Sequence, residues 1–279
     1  MPLLTLQELE QTVPLFRGRI GNILARGVMR LLSINRLNAL YDRHAHLSGP
    51  AFAHSVLNDL GINYNVIADT PKVIPLLGKL EQHAPFITIS NHPYGSIDGI
   101  ILADFFGHRC SNYKIMVNKI LGRIEALSPS FISVTPTGKE RTTPTTESII
   151  GIRRALTHLR GGGALGLFPS GAVSDLSLRD RNIRDREWQP AVIRLIAKAR
   201  VPIFPVHFIN GNSPFYYALG LINWRVRLLR LPAELFNKSH SPITLIIGQP
   251  ISVSEQQQYL DTHSIEEFGQ WLREKVYSI

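Results

Sequence analysis

His92 and Asp98 are residue types that can carry out proton transfer if the chain brings them together. They lie in the segment Ile87-Thr88-Ile89-Ser90-Asn91-His92-Pro93-Tyr94-Gly95-Ser96-Ile97-Asp98-Gly99. A carboxylate that accepts a hydrogen bond from one imidazole nitrogen fixes the tautomer and raises the basicity of the other. That second nitrogen can then take a proton from an attacking hydroxyl. On a straight helix, six positions would set the two side chains about 240° apart, so a turn must lie between them. Pro93 disfavours the α region at His92 and predicts a histidine at the extended end of a strand. Gly95 and Ser96 permit the turn, and Ile97 onward reads as a helix with Asp98 in its first turn. On spacing alone, a loop histidine beside a helix-capping aspartate is the simpler reading. The end of a parallel strand is where α/β folds place their sites, and this shifts the balance toward chemistry.

The elements that must position this pair follow from hydrophobic patterning. Short apolar runs predict strands at Tyr64–Ile67, Phe86–Ser90, Lys114–Val117, Phe131–Val134, Ala164–Phe168, Ile203–Phe208 and Thr244–Ile247. A helix is predicted from Pro144 to Leu159, with proline in its first turn and Gly161-Gly162-Gly163 ending it. Ser264 to Val276 reads as a surface helix. Alternating strands and helices predict an α/β fold with a largely parallel mixed sheet flanked by helices. Residues 1–60 read as an N-terminal helical segment, capping or membrane-associating, and 61–279 as one α/β domain. Within the first part, Phe16, Ile20, Ile23, Leu24 and Leu31 recur at helical spacing, with Arg19, Arg26 and Arg30 on a neighbouring stripe. Such a helix suits a membrane interface, or a cap with its arginines in water.

Composition narrows the classes. The 279 residues are 44% hydrophobic and 18% charged, which supports a large core and excludes global disorder. A formal charge of +9 suggests an anionic partner. One cysteine, Cys110, excludes an intramolecular disulfide and a cysteine-built zinc site. No apolar run is long enough to span a bilayer, and the N-terminus lacks a signal pattern, so a cytosolic protein is expected. Gly161-x-Gly163-x-x-Gly166 precedes a strand instead of following one, so it does not read as a dinucleotide site. Gly138-Lys139 lacks the upstream glycine of a phosphate-binding loop. No nucleic-acid module, histidine-pair metal motif or Gly-x-Ser-x-Gly elbow is present. His207, in an apolar strand, reads as a core histidine.

Asn91-His92-Pro93-x-Gly95-x-x-Asp98-Gly99 after a strand resembles the glycerolipid and lysophospholipid acyltransferase superfamily, whose His and Asp are usually separated by four residues. Five separate them here, which is similar to a bacterial subgroup related to enzymes that make ornithine and other amino-acid lipids. Lys114–Leu121 with Phe131–Val134 looks like the second block of that superfamily. Gly166-Leu167-Phe168-Pro169-Ser170-Gly171-Ala172-Val173-Ser174 looks like the third, followed by Ile183–Trp188 as in the subgroup. Val201–Val206 looks like the fourth, and Asn210–Ser213 and Ile247–Ile251 complete the match.

The resemblance implies transfer of a fatty acyl chain from acyl-CoA or acyl-ACP to a hydroxyl, or an amine, of a lysolipid acceptor. It makes His92 the general base and Asp98 the residue that orients it. Asn91, Gly95, Phe168, Pro169, Ser170 and Gly171 become candidates for substrate binding, and N–H groups near Gly95 or Gly171 candidates for an oxyanion site. Asn118 and Lys119 follow a strand end, in the same cleft or in a capping role. No metal or resident cofactor is implied. The expected location is peripheral, on the inner face of the cell membrane. The chain departs from the superfamily's usual Phe-Pro-Glu-Gly-Thr-Arg: Ser170 replaces Glu, and Val173 replaces an Arg held to bind the acceptor's phosphate. A phosphate-poor acceptor such as a lyso-amino-acid lipid is therefore favoured, unless Arg179, Arg181, Arg184 and Arg186 substitute for the lost charge. The alternatives are a catalytically silent lipid-binding protein of the same fold and an acyl-thioester hydrolase.

Overall fold

The computed structural model describes residues 17–134, 146–178 and 182–279. Its frame is a sheet of seven strands in the order β1-β9-β8-β2-β5-β3-β4. These are β1 (Tyr64–Ala68), β2 (Ile87–Ser90), β3 (Tyr113–Asn118), β4 (Phe131–Val134), β5 (Ala164–Leu167), β8 (Ile203–Phe208) and β9 (Ile243–Ile247), while β6 (Asp175–Ser177) and β7 (Asn182–Arg184) form a separate antiparallel hairpin. Neighbours in the large sheet run parallel except β8 and β9. All seven predicted strands are present. Each of the central strands β2 and β5 is buried along its whole length, as expected of parallel strands covered on both faces.

The helices are α1 (Gly18–Leu31), α2 (Ile34–His44), α3 (Gly49–Asp59), α4 (Ser96–Gly107), α5 (Thr146–Arg160), α6 (Pro190–Ala199), α7 (Pro214–Ile222), α8 (Trp224–Leu229), α9 (Leu231–Asn237), α10 (Val253–Leu260) and α11 (Ile265–Tyr277), with further short turns between them. They sort into two layers because strand side chains alternate between faces. On one face Phe86, Ile115, Phe204 and Val206 pack with Phe52 and Val56 of α3, Ile101 and Phe106 of α4 and Leu235 of α9. On the other, Ile87, Ile89, Leu165 and Ile203 pack with Leu156 of α5, Ile196 of α6 and Phe268 and Leu272 of α11. The C-terminal helix thus has one solvent face and one deeply buried face. Helices α2 and α3 share the first core with the sheet.

In α1 the inward side is made by the small or slim residues Gly21, Ala25 and Met29. Of the stripe singled out by spacing, Ile20, Ile23, Leu24 and Leu31 face outward together with the arginines, and Phe16 lies outside the described residues.

Asp59 ties α3 to α2. Its Oδ2 lies 2.7 Å from Arg43 Nη2 and 2.7 Å from His44 Nε2. The hydrogen bond from His44, and then Arg43, lowers the Asp59 pKa below its ordinary value. A depressed carboxyl pKa contributes stability above the unfolded value and loses it as pH falls through the folded one. Asp59→Asn is expected to flatten the acid limb of a stability-versus-pH curve and cost under about 1 kcal/mol at neutral pH. Urea unfolding at a series of pH values measures both, and an unchanged acid limb would refute the linkage.

Candidate active site

Strand β2 lies in the middle of the sheet, and the chain leaves it and its neighbour β5 in opposite ways. After β2 the chain crosses one face in α4 to reach β3; after β5 it crosses the other face in α6 to reach β8. Such a divergence opens a crevice beyond the carboxyl ends of adjacent strands. The loops that meet there are His92–Gly95 and Phe168–Ser174.

The required turn is present. Gly95 caps α4 with φ +80° and ψ −109°, a conformation that L side chains avoid. This reverses the chain so that Asp98 Oδ2 lies 2.9 Å from His92 Nδ1. The same oxygen accepts the N–H groups of Tyr94 and Gly95, each at 3.0 Å. Asp98 is fully buried, whereas the His92 side chain retains 18% exposure. Burial pushes the Asp98 carboxyl pKa up, opposed by the His92 contact and the two N–H donors. Phe168, at the end of β5, stacks on His92 with ring centroids 4.0 Å apart and 32° between planes. The imidazole is therefore held edge-on by Asp98 and flat by Phe168. No hydrogen bond from the described residues occupies its Nε2. This arrangement presents one ring nitrogen for proton transfer.

A methyl group on Gly95 would fall 2.9 Å from Leu231 Cδ2 and 3.2 Å from Val173 Cγ2. Gly95→Ala is expected to destabilise the protein by about 1–3 kcal/mol and to separate the His–Asp pair. A chemical denaturation curve tests the first effect and a turnover assay the second; a neutral substitution would show that the turn is not needed.

His92 is also gripped by its backbone, through residues that patterning did not single out. Its N–H donates to Asp185 Oδ1 at 3.1 Å, and its C=O accepts from Ser174 N–H at 2.9 Å. Ser174 closes the ring by donating its hydroxyl to Asp185 Oδ1 at 2.6 Å. Asp185 is 3% exposed. Its own N–H donates to Tyr277 Oη at 2.8 Å, and Arg273 donates to its C=O at 2.6 Å. The segment Ile183–Trp188 was noted only as part of the resemblance; nothing local in it signals a partner so far away.

The other predicted residues fall into place as follows. Both ends of the Asn91 amide are used: Nδ2 donates to Phe208 C=O at 2.9 Å, and Oδ1 accepts Phe208 N–H at 2.7 Å. Asn91 thus pins the end of β2 to β8. Ser170 Oγ folds back to Ala172 C=O at 2.8 Å, and Pro169 is buried beneath the loop. Gly171 takes φ +65° and donates its N–H to Phe168 C=O at 2.9 Å. The N–H groups of Gly95 and Gly171 themselves are spent within the protein, on Asp98 and on Phe168. Asn118 ends β3 and Lys119 follows it; β3 is two strands from β2, so their backbones start roughly 10 Å away. His207 lies in β8 with its ring 5.4 Å from that of Tyr277, and burial pushes its pKa down.

The described arginines around the Val173 loop make contacts within the protein. Arg227 of α8 reaches the same loop and donates to the carbonyls of Ser174 at 3.1 Å and Val173 at 3.2 Å. It is 2% exposed and ion-paired with Asp175. Arg186 pairs with Asp175 as well, and Arg184 with Glu274. Arg179 and Arg181 lie outside the described residues. Among the described residues, no group of three or more His, Cys, Asp or Glu is disposed to hold a metal ion.

A family model described as acyltransferase matches residues 10–279. The chain belongs to this acyltransferase family. Two curated relatives are similar over most of its length. The lyso-glycine lipid O-acyltransferase of Bacteroides thetaiotaomicron is 28% identical over 211 residues, 72% of this chain and 72% of that protein. The lyso-glycine lipid O-acyltransferase of Phocaeicola vulgatus is 27% identical over 212 residues, 73% and 71% of the two. A solved structure, the 1-acyl-sn-glycerophosphate acyltransferase PlsC of Thermotoga maritima, aligns at 15% identity with a TM-score of 0.44, covering 81% of this chain and 79% of that one. This acyltransferase carries its His92–Asp98 pair on a mostly parallel sheet. No helix among its described residues is long and apolar enough to cross a membrane.

Proposed function

We propose that this acyltransferase moves a fatty acyl chain from acyl-CoA or acyl-ACP to the hydroxyl of a lysolipid, with His92 as general base. The observation that carries the reading is the 2.9 Å contact of His92 Nδ1 with the buried Asp98, which leaves Nε2 toward the crevice. The acceptor oxygen attacks the thioester carbonyl carbon while Nε2 takes its proton. The tetrahedral intermediate then collapses, the C–S bond breaks, and the thiolate takes the proton back from the imidazolium. Asp98 stabilises that imidazolium. No covalent enzyme intermediate, metal or resident cofactor is needed for these steps.

The acceptor we propose is a lyso-amino-acid lipid, of the lyso-glycine lipid kind on which the two curated relatives act. Two features support it. Val173 stands where the superfamily usually has a phosphate-binding arginine, and Arg227, which reaches that loop, is buried and committed to the Val173 and Ser174 carbonyls and to Asp175. We place the enzyme peripherally on the cytoplasmic face of the cell membrane. The exposed apolar stripe of α1, flanked by Arg19, Arg26 and Arg30, supports this placement, as does the charge of +9.

Incubation with labelled palmitoyl thioester and a bacterial lipid extract, followed by mass spectrometry, tests the reading. A new acylated lipid made by the unmutated protein and not by His92→Ala is expected, and its mass names the acceptor. Free fatty acid without acylated lipid would instead mark a thioester hydrolase. Consumption of neither donor, with lipid binding intact, would mark a silent lipid-binding protein.

A further inference from the structure

Helices α7 and α8 form a corner whose two sides differ. The inner side presses on the His92 turn. Tyr217 Oη donates to Pro93 C=O at 3.0 Å, Arg227 holds the carbonyls of Val173 and Ser174, and Leu231, just beyond α8, closes over Gly95. The outer side carries Phe215, Leu221, Ile222, Trp224, Val226 and Leu229, all exposed, with Ile222 at 83%. Large apolar side chains concentrated in one exposed corner mark an interaction surface.

We propose that this corner enters the acyl-chain region of an anionic lipid leaflet and so sets the His92 crevice at the depth of a lysolipid hydroxyl. The inference rests on the lysolipid reading above. Three observations select lipid as the occupant. The corner is apolar, with Trp224 at its bend and Arg230 at its end, the guanidinium 5.3 Å from the Phe215 ring; tryptophan and arginine at the margin of an apolar surface suit the headgroup level. The corner is also linked to α1 and its exposed apolar stripe. Helix α9 follows α8 and packs on α2, with Arg36 4.1 Å over the Phe236 ring, and α2 packs on α1. Finally, a net charge of +9 complements an anionic leaflet. An acceptor arriving within the leaflet then meets His92 beside the element that holds its turn.

The test uses the full chain. Cys110 is 1% exposed, so a cysteine introduced at the surface can be labelled selectively. Ile222→Cys carries an environment-sensitive fluorophore, and Gln270→Cys, on the exposed side of α11, serves as control. With phosphatidylglycerol/phosphatidylcholine vesicles, the label at 222 is expected to shift to the blue and to be quenched by lipids bearing a nitroxide in the acyl chain. The label at 270 should do neither. Ile222→Glu with Leu229→Glu should weaken vesicle co-sedimentation at least about tenfold without lowering the melting temperature. A label at 222 that stays in water would overturn the proposal, whether or not the protein binds vesicles. So would a dimer, detected by sedimentation equilibrium, that the charged variant dissociates, since a second copy would then cover the corner. These readouts need no turnover. If the label inserts while no acylated lipid forms, docking stands and the catalytic reading falls.

Discussion

His92→Ala is expected to lower kcat/KM by about 10²–10⁴-fold, the usual contribution of a positioned general base. Binding of the thioester should change little, because the imidazole acts on the acceptor's proton. Asp98→Asn should fall in the same range for a different reason. Asparagine keeps the volume, and its oxygen can still accept from Tyr94 and Gly95, which reach Asp98 Oδ2 at 3.0 Å. It loses the charge that stabilises the imidazolium, although the same oxygen still faces His92 Nδ1. The two effects should not add, since both variants disable one unit. Steady-state kinetics on the single and double variants decide it, with circular dichroism as the check on folding. An Asp98→Asn enzyme with unchanged kcat would remove Asp98 from the mechanism.

The largest expected effect on stability belongs to Arg227→Met. The substitution keeps much of the apolar stem but leaves the Val173 and Ser174 carbonyls without the donor they have in α8. It also removes one partner of Asp175. Unpaired buried groups of this kind cost about 2–3 kcal/mol, the lower end being set by the partial exposure of Asp175. For a chain of this size that corresponds to a fall in Tm of roughly 4–10 °C. Arg227→Lys should recover only part of the loss, because an ammonium cannot serve two carbonyls and a carboxylate with one planar fork. Calorimetry measures the fall. A Tm unchanged in Arg227→Met would mean that the loop does not depend on this arginine.

The sheet was legible because its strands are short apolar runs bounded by turns, with the central β2 and β5 buried on both faces. The His92–Asp98 turn was legible because proline and glycine constrain the backbone locally. Helices α7 to α9 were not read from the sequence. Phe215, Tyr216, Tyr217, Leu219, Leu221 and Ile222 are apolar all round the helix, so no periodic stripe marks a buried face. The helical period of α1 was visible, but its orientation was not. Glycine and alanine allow close packing without appearing on a hydrophobic wheel, so the conspicuous residues turned out to be the outer ones. The roles of Asn91, Ser174, Asp185 and Arg227 depend on partners distant in the chain, and spacing carries no trace of such pairs.

The grip on His92 has a consequence for the growing polypeptide. Asp185 is 93 residues from His92, Phe208 is 117 from Asn91, and Tyr217 is 124 from Pro93. Contacts of such sequence separation form only after long loops have closed. A nascent chain that has emerged as far as Gly99 already contains both the histidine and the aspartate, but nothing yet anchors the strand end that carries them. Ribosome-bound fragments therefore lack the contacts that hold the strand end until Asp185, Phe208 and Tyr217 have been synthesised, and lack the bracing of Asp185 until α11, with Arg273 and Tyr277, has docked.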